Sequence, residues 1–326
     1  PLYRDRHAMY GDAKDYTKGP TIFATHSTHK LLAALSQASF LHIRDGRSPI
    51  PHSRFNESHM MHASTSPLYP IIVSNDVTAA MMDGPGGIAI TAESIEEAVA
   101  FRQTMGRVHR EFAAKKEWFF KTWNPEKVKQ GKNGKSVAFA DADPQYLATE
   151  PDAWVLHPGD AWHGFGDIED DYCMLDPIKV SVVTPGMTEK GLDKSGIPAT
   201  LVTAFLHARG VEVEKTTDFT ILLLFSIGIT KGKWGTLLNA LLDFKRAYDR
   251  NASLAEVLPE LVANNPGTYT GVGLRDLPDQ MFAPLKESKQ THWLSEAFST
   301  LPKMEMSPNA AYQYLVKDDI EHVPLD

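Results

Sequence analysis

The sequence predicts an α/β protein, and three observations carry that prediction. Stretches such as "IKVSVVTPG" and "FTILLLFSIG" are β-branched and apolar, end at turn residues, and read as strands. Segments with apolar residues at helical spacing alternate with them, among them "IPATLVTAFLHARG" and "KGKWGTLLNALLDFKRAYDR". The 326 residues are 42% hydrophobic and 23% charged, enough to bury a large core and to form two domains.

Along the chain, residues 21–43 read as a strand, a tight turn and an apolar segment. The turn, in "FATHSTHKLLAALSQASFLHI" (residues 23–43), brings together Ser27, His29 and Lys30. A lysine among apolar neighbours pays desolvation for its charge, and the neutral amine is a nucleophile towards carbonyl groups. Ser27 and His29 offer two hydrogen-bond donors to a single phosphate. As a bare tetrapeptide, Ser-x-His-Lys also reads as ordinary surface turn. A polar loop, "RDGRSPIPHSR", comes next. Residues 60–84, "MMHASTSPLYPIIVSNDVTAAMMDG", place hydroxyls before Pro67 and then an apolar helical repeat ending at Gly84. "DGPGG" (83–87) follows a helix and lacks the Lys-Ser/Thr of a phosphate-binding loop, so it reads as a helix C-cap and turn.

Residues 91–116 predict a helix. Ser94 and Glu97 fit a capping box, and Ile95, Val99, Met105, Val108 and Phe112 recur at helical spacing. Residues 124–152 are polar, rich in Lys, Asp and Gly, and without sustained periodicity, which suggests a linker. After them the order β-α-β-β-α through residue 250 suggests a compact second α/β unit, its first helix closed by Gly210.

Composition excludes several functions. With a formal charge of −8 and no basic cluster, nucleic acid is not an expected partner. A single cysteine, Cys173, excludes an internal disulfide framework and fits a reducing, cytoplasmic setting; nothing beside it would generate a thiolate. The longest apolar run, Ile221 to Ile227, is too short to span a bilayer. His59 and His62 have no carboxylate or cysteine at ligand spacing, so no metal is expected. His157, Asp160, Trp162 and His163 in "HPGDAWHGF" (157–165) suit either a pocket lining or a turn with Trp162 and Phe165 in the core. The start, "PLYRDRHAMYGD", has no leading methionine, and "IEHVPLD" has no terminating feature; both read as the interior of a longer protein.

Taken together, "FATHSTHKLLAALSQAS", "FNESHMMHASTSPLYPI", "WHGF", "LDPIKVSVVTPGM" and "LFSIGITKGKWGTL" resemble the bacterial inducible arginine/lysine/ornithine decarboxylases. These are pyridoxal-phosphate enzymes of the aspartate-aminotransferase fold (fold type I), and the resemblance runs through almost the whole chain. It implies that residues 1–123 are the second part of the cofactor-binding large domain, 124–152 a polar linker or insert, and 153–326 a smaller C-terminal α/β domain. It also implies that Lys30 forms the internal aldimine with pyridoxal 5'-phosphate, and that Ser27 and His29 hold the phosphate. Ser64 matches a hydroxyl that reaches the neighbouring subunit's phosphate; it also reads as a local Ser/Thr turn. The family's cofactor-nitrogen aspartate and ring-stacking histidine match positions upstream of Pro1, so the chain holds half a site.

The implied activity is decarboxylation of a basic amino acid, which consumes a proton and suits acid stress. The arginine branch is the nearest likeness, on "EKTTDFTILLLFSIGITKGKWGTL" and "SRFNESHMMHASTSPLYPIIVSND", followed by lysine and then ornithine. The implied assembly is a homodimer with a shared site, and a decamer of five such dimers when acid neutralises their charge. A non-catalytic assembly or regulatory subunit of the same fold is the alternative. An aldehyde-capturing lysine argues against it.

Overall fold

The computed structural model describes residues 19–130, 134–188, 191–300, 303 and 305–317. Strand β1 (Ile22–His26) leads into a four-residue helix, α1 (Thr28–Leu31), and the chain returns as β2 (Phe40–Arg44). The two strands pair antiparallel, Ile22 opposite Arg44 and His26 opposite Phe40. The Leu/Ala-rich stretch after Lys30 is therefore a turn between two strands. Gln37 takes the left-handed conformation there, at φ 74°. Leu31 and Leu35 are exposed, so no apolar packing holds a longer helix together.

Helices α2 (His52–His62), α3 (Tyr69–Met82) and α4 (Gly84–Phe112) follow. The capping box at Ser94 and Glu97 is not the start of α4. The helix begins at Gly84, where Pro85 presets the backbone angle of the first turn. Ser94 lies in its interior and donates to the Ile90 carbonyl, and Glu97 accepts from Trp234 Nε1. "DGPGG" is thus both the end of α3 and the beginning of α4. Gly84 has φ 67°, and a Cβ at Gly87 would lie 2.1 Å from the Met82 carbonyl oxygen. Only glycine at 87 lets the two helices meet so closely.

The stretch expected to be a linker is folded. Strand β3 (Lys121–Thr122) lies just before it, and strands β4 (Lys127–Gln130) and β5 (Lys135–Ala138) and helix α5 (Pro144–Thr149) occupy it. Val128, Phe139, Ala142 and Leu147 pack with Val99 of α4 and with Ala153 and Trp154 in one buried cluster. Strands of four residues are too short to show a period across a polar window.

The expected β-α-β-β-α order follows, with a minor hairpin inserted: β6 (Lys179–Val183), β7 (Met187–Thr188), β8 (Gly191–Leu192), α6 (Ala199–His207), β9 (Lys215–Thr216), β10 (Thr220–Leu224) and α7 (Lys231–Asp249). Four strands form an antiparallel sheet in the order β3-β6-β10-β9. Gly210 closes the turn after α6 at φ 73°, as its position predicts. Short helices α8 (Leu254–Val257), α9 (Pro259–Asn264) and α10 (Pro266–Tyr269) precede α11 (Asp276–Glu287), α12 (Gln290–Ser299) and α13 (Pro308–Val316). The main core joins Phe101 and Met105 of α4 to Val180, Val182, Ile221 and Leu223 of the sheet, Phe205 of α6 and Phe244 of α7.

Arg102, on α4, is fully buried at the junction of these parts. Its guanidinium donates to the carbonyls of Trp123, Pro177 and Lys179, at 3.0, 3.4 and 2.9 Å. It also lies 5.4 Å from the Trp154 ring centre. Burial pulls its pKa down to about 9, against the raising effect of Asp176. Each carbonyl left without a donor costs ~1–3 kcal/mol, partly offset by no longer burying a charge, so Arg102→Met should destabilise by about 3 kcal/mol. Thermal melting of the full-length protein reads this as a clearly lowered Tm; an unchanged Tm would contradict it.

Candidate functional site

The Ser27–Lys30 turn sits where β1 ends. Ser27 is the residue before α1, in extended conformation, and its hydroxyl does not cap the helix. Thr28 is buried, His29 half-buried and Lys30 exposed. A helix advances about 100° per residue, so burial of Thr28 turns Lys30, two positions on, to the opposite side. The expectation that Lys30 lies among apolar neighbours is not met among the described residues, where it is exposed. Neither Lys30 Nζ nor Ser27 Oγ has a hydrogen bond or ion pair among the described residues.

Two sets of contacts fix the turn. His29 donates its backbone N–H to the Ala38 carbonyl, and its Nδ1 lies 2.9 Å from the same oxygen. An imidazole with Nδ1–H on a carbonyl leaves Nε2 open. The second set comes from α3. Thr28 Oγ1 donates to Asn75 Oδ1 at 2.5 Å, Asn75 Nδ2 donates to the Ser39 carbonyl at 3.3 Å, and Ser74 Oγ accepts from Leu35 N at 3.1 Å. Sequence reasoning missed Thr28 and Asn75. The available signal was the polar "SND" at 74–76 interrupting an otherwise apolar helix.

Ser64 lies in the connection between α2 and α3. Its hydroxyl accepts from Ser66 N at 3.1 Å, the local turn that the sequence also allowed. Among the histidines of α2, His62 faces the Ser58 carbonyl and His59 stacks on Phe55.

The "HPGDAWHGF" segment is a turn, closed by Gly159 N donating to the Phe165 carbonyl. Trp162 packs against Trp123, with ring centres 5.1 Å apart, whereas Phe165 is exposed rather than in the core. Trp162 Nε1 and His163 Nε2 are sheltered and unpartnered among the described residues. His157 Nδ1 lies 2.7 Å from Asp170 Oδ1, and with Asp171 they form a group of metal-ligand type.

Among the described residues, the turn thus presents an unpartnered amine, an unpartnered hydroxyl and an imidazole, and such groups can capture a carbonyl and donate to a phosphate. Residues 1–233 match the family model for the major domain of Orn/Lys/Arg decarboxylases. The chain belongs to the ornithine/lysine/arginine decarboxylase family. It is 54% identical to the biodegradative arginine decarboxylase of Escherichia coli (strain K12), over 100% of this chain and 43% of that protein. It is 46% identical to the lysine decarboxylase LdcA of Pseudomonas aeruginosa, over 99% of this chain and 41% of that one. The solved structure of lysine decarboxylase A from Pseudomonas aeruginosa superposes with a TM-score of 0.78 at 45% identity, covering 94% of this chain and 39% of that chain. The chain thus spans about two fifths of the length of these family members. Among the described residues, no helix is long and apolar enough to cross a membrane.

The hydrogen bond from His157 holds the Asp170 carboxyl below the usual carboxylate range. A carboxyl whose folded-state pKa is depressed contributes stability above its ordinary pKa and loses it as pH falls through the folded value. The Tm of wild type should therefore exceed that of Asp170→Asn near pH 6, with the gap closing as acid protonates Asp170. A gap that widened in acid would contradict this.

Proposed function

We propose that the full-length protein is a cytoplasmic pyridoxal-phosphate-dependent decarboxylase that converts L-arginine to agmatine and CO2 with uptake of one proton. The observation that supports this reading is the braced Ser27–Lys30 turn, which presents an amine and a hydroxyl that have no partner among the described residues. Lys30 Nζ is the group that captures the cofactor's aldehyde. Ser27 Oγ and the His29 ring hold its phosphate. When bound there, the cofactor supplies an electron sink for the pair left by the departing carboxylate. With the cofactor bound there, Lys30 Nζ would be placed to hold the proton that the substrate's Cα takes up.

Arginine is preferred over lysine and ornithine because the identity to the arginine decarboxylase, 54%, exceeds that to the lysine decarboxylases, 46% and 39%, and to an ornithine decarboxylase, 30%. Assembly as a homodimer, and further into a decamer, is supported by the exposed apolar side chains of the first eighty residues. Phe23 is 48% exposed, Met61 80% and Tyr69 71%. Surfaces of this kind mark interfaces. The net charge of −8 fits an association that tightens when acid neutralises it.

Assayed on arginine, lysine and ornithine, the full-length enzyme should show kcat/KM for arginine at least about tenfold above the others. Lys30→Ala should reduce turnover to background. A lysine preference would overturn the substrate choice, and activity of Lys30→Ala within about tenfold of wild type would overturn the role of this amine. Ser64→Ala tests the shared site. Loss of one hydrogen bond to a charged phosphate should weaken cofactor retention by about 1.5–3 kcal/mol. Unchanged retention would leave Ser64 a turn residue only.

A further inference from the structure

Within α3, Ser74 and Asn75 meet the Lys30 turn, Asp76 is exposed, and much of the remaining surface is apolar. Ser74, Asn75 and Thr78 interrupt "YPIIVSNDVTAAMM", while Ile72, Val73 and Val77 are exposed. Asn75 and Thr78 are buried, at 9% and 1% exposure, and Thr78 Oγ1 has no hydrogen-bond partner among the described residues. Burying such groups costs free energy that an apolar face would not. A satisfied buried pair fixes one arrangement among several, which an apolar contact does not.

Thr28 and Asn75 form that pair across 47 residues of chain. Asn75 uses both ends of its amide. Its oxygen accepts from Thr28 at the start of the turn, and its nitrogen donates to Ser39 at the far end. Ser74 adds a hydrogen bond to Leu35 between them. The loop from Thr28 to Ser39 is thus pinned to α3 along its length. Because Thr28 and Lys30 lie on opposite sides of a single helical turn, whatever sets the rotation of Thr28 sets the direction of Lys30. His29, held on Ala38, resists tilt but lies to one side of that axis.

We propose that Thr28 and Asn75 are positioning residues: their hydrogen bond sets the rotation of the Ser27–Lys30 turn and so aims the Lys30 amine and the Ser27 hydroxyl at the cofactor. This rests on the reading of Lys30 as the cofactor-binding amine. Without the bond, α1 can rotate about its axis. A misplacement of Lys30 Nζ of about 1 Å is worth on the order of a hundredfold in rate.

The test uses the full-length holoenzyme with Thr28→Val, Thr28→Ser, Asn75→Leu and the double variant Thr28→Val/Asn75→Leu. Four quantities are read: the Tm, the dissociation constant for pyridoxal phosphate, the pH midpoint of the visible band of the lysine-bound cofactor, and kcat and KM separately. Thr28→Val should lower kcat about tenfold or more and shift the band's pH midpoint, with KM little changed. Thr28→Ser keeps the hydroxyl and should restore both to near wild type. The double variant should cost no more than the worse single one, because both remove one interaction.

A Thr28→Val enzyme with wild-type kcat and band midpoint would overturn the proposal, as would one that loses Tm alone. Additive losses in the double variant would overturn it too. Should Asn75→Leu not fold, the comparison of Thr28→Val with Thr28→Ser decides the matter. Lys30→Ala separates this inference from the reading it rests on. If that variant loses the band while Thr28→Val behaves as wild type, only the positioning role fails. If Lys30→Ala keeps the band, both fail.

Discussion

A fully buried guanidinium holds the parts of this chain in register. Arg102 projects from the middle of α4 and supplies donors to three carbonyls, one before the β4–β5 hairpin and two at the entry to β6. None of these carbonyls belongs to the same element as Arg102, so a local substitution cannot replace it. An arginine suits the place because its planar fork presents several donors at fixed angles, whereas lysine presents a point charge. The charge is met by carbonyl dipoles, by the face of Trp154 and by Asp176 nearby, and burial still pulls it down to about 9.

From Arg102 the order passes along α4 to the candidate site. The 29-residue helix places Phe101 and Met105 in the main core and Val99 in the smaller one, and its first turn abuts the end of α3 at Gly87. Helix α3 in turn carries Ser74 and Asn75 to the loop that bears Lys30. The site is exposed and sparsely packed in itself; its geometry comes from polar contacts to a helix whose own position is set by the core. Precision at a loop is more often borrowed from rigid elements behind it than built from its own packing.

The sequence made the strongly periodic parts of the fold legible. Helices α6 and α7 and strands β6 and β10 lie where their patterns place them, since each buries one face in a single core. Ser27, His29 and Lys30 share one turn, as their adjacency in sequence requires, and the role proposed for that turn rests on this adjacency. Four features were not legible. The start of α4 is one: a capping box is a local pattern, so the sequence points to a helix from residue 91, and nothing local reports that it already begins at Gly84. The 124–152 stretch hid a hairpin because its strands are four residues long. The segment after Lys30 reads as apolar but its return as β2 is not legible, since apolar composition reports that a surface needs cover and not which element covers it. The Thr28–Asn75 bond joins residues that no local signal connects.

The central claim is that Lys30 is the amine that captures an aldehyde cofactor. The most direct measurement is borohydride reduction of the full-length protein followed by peptide mapping by mass spectrometry. The account predicts one added phosphopyridoxyl group, on the peptide containing Ser27-Thr28-His29-Lys30 and localised to Lys30. A label on another lysine, or a protein that holds the cofactor yet takes up no label on reduction, would contradict it.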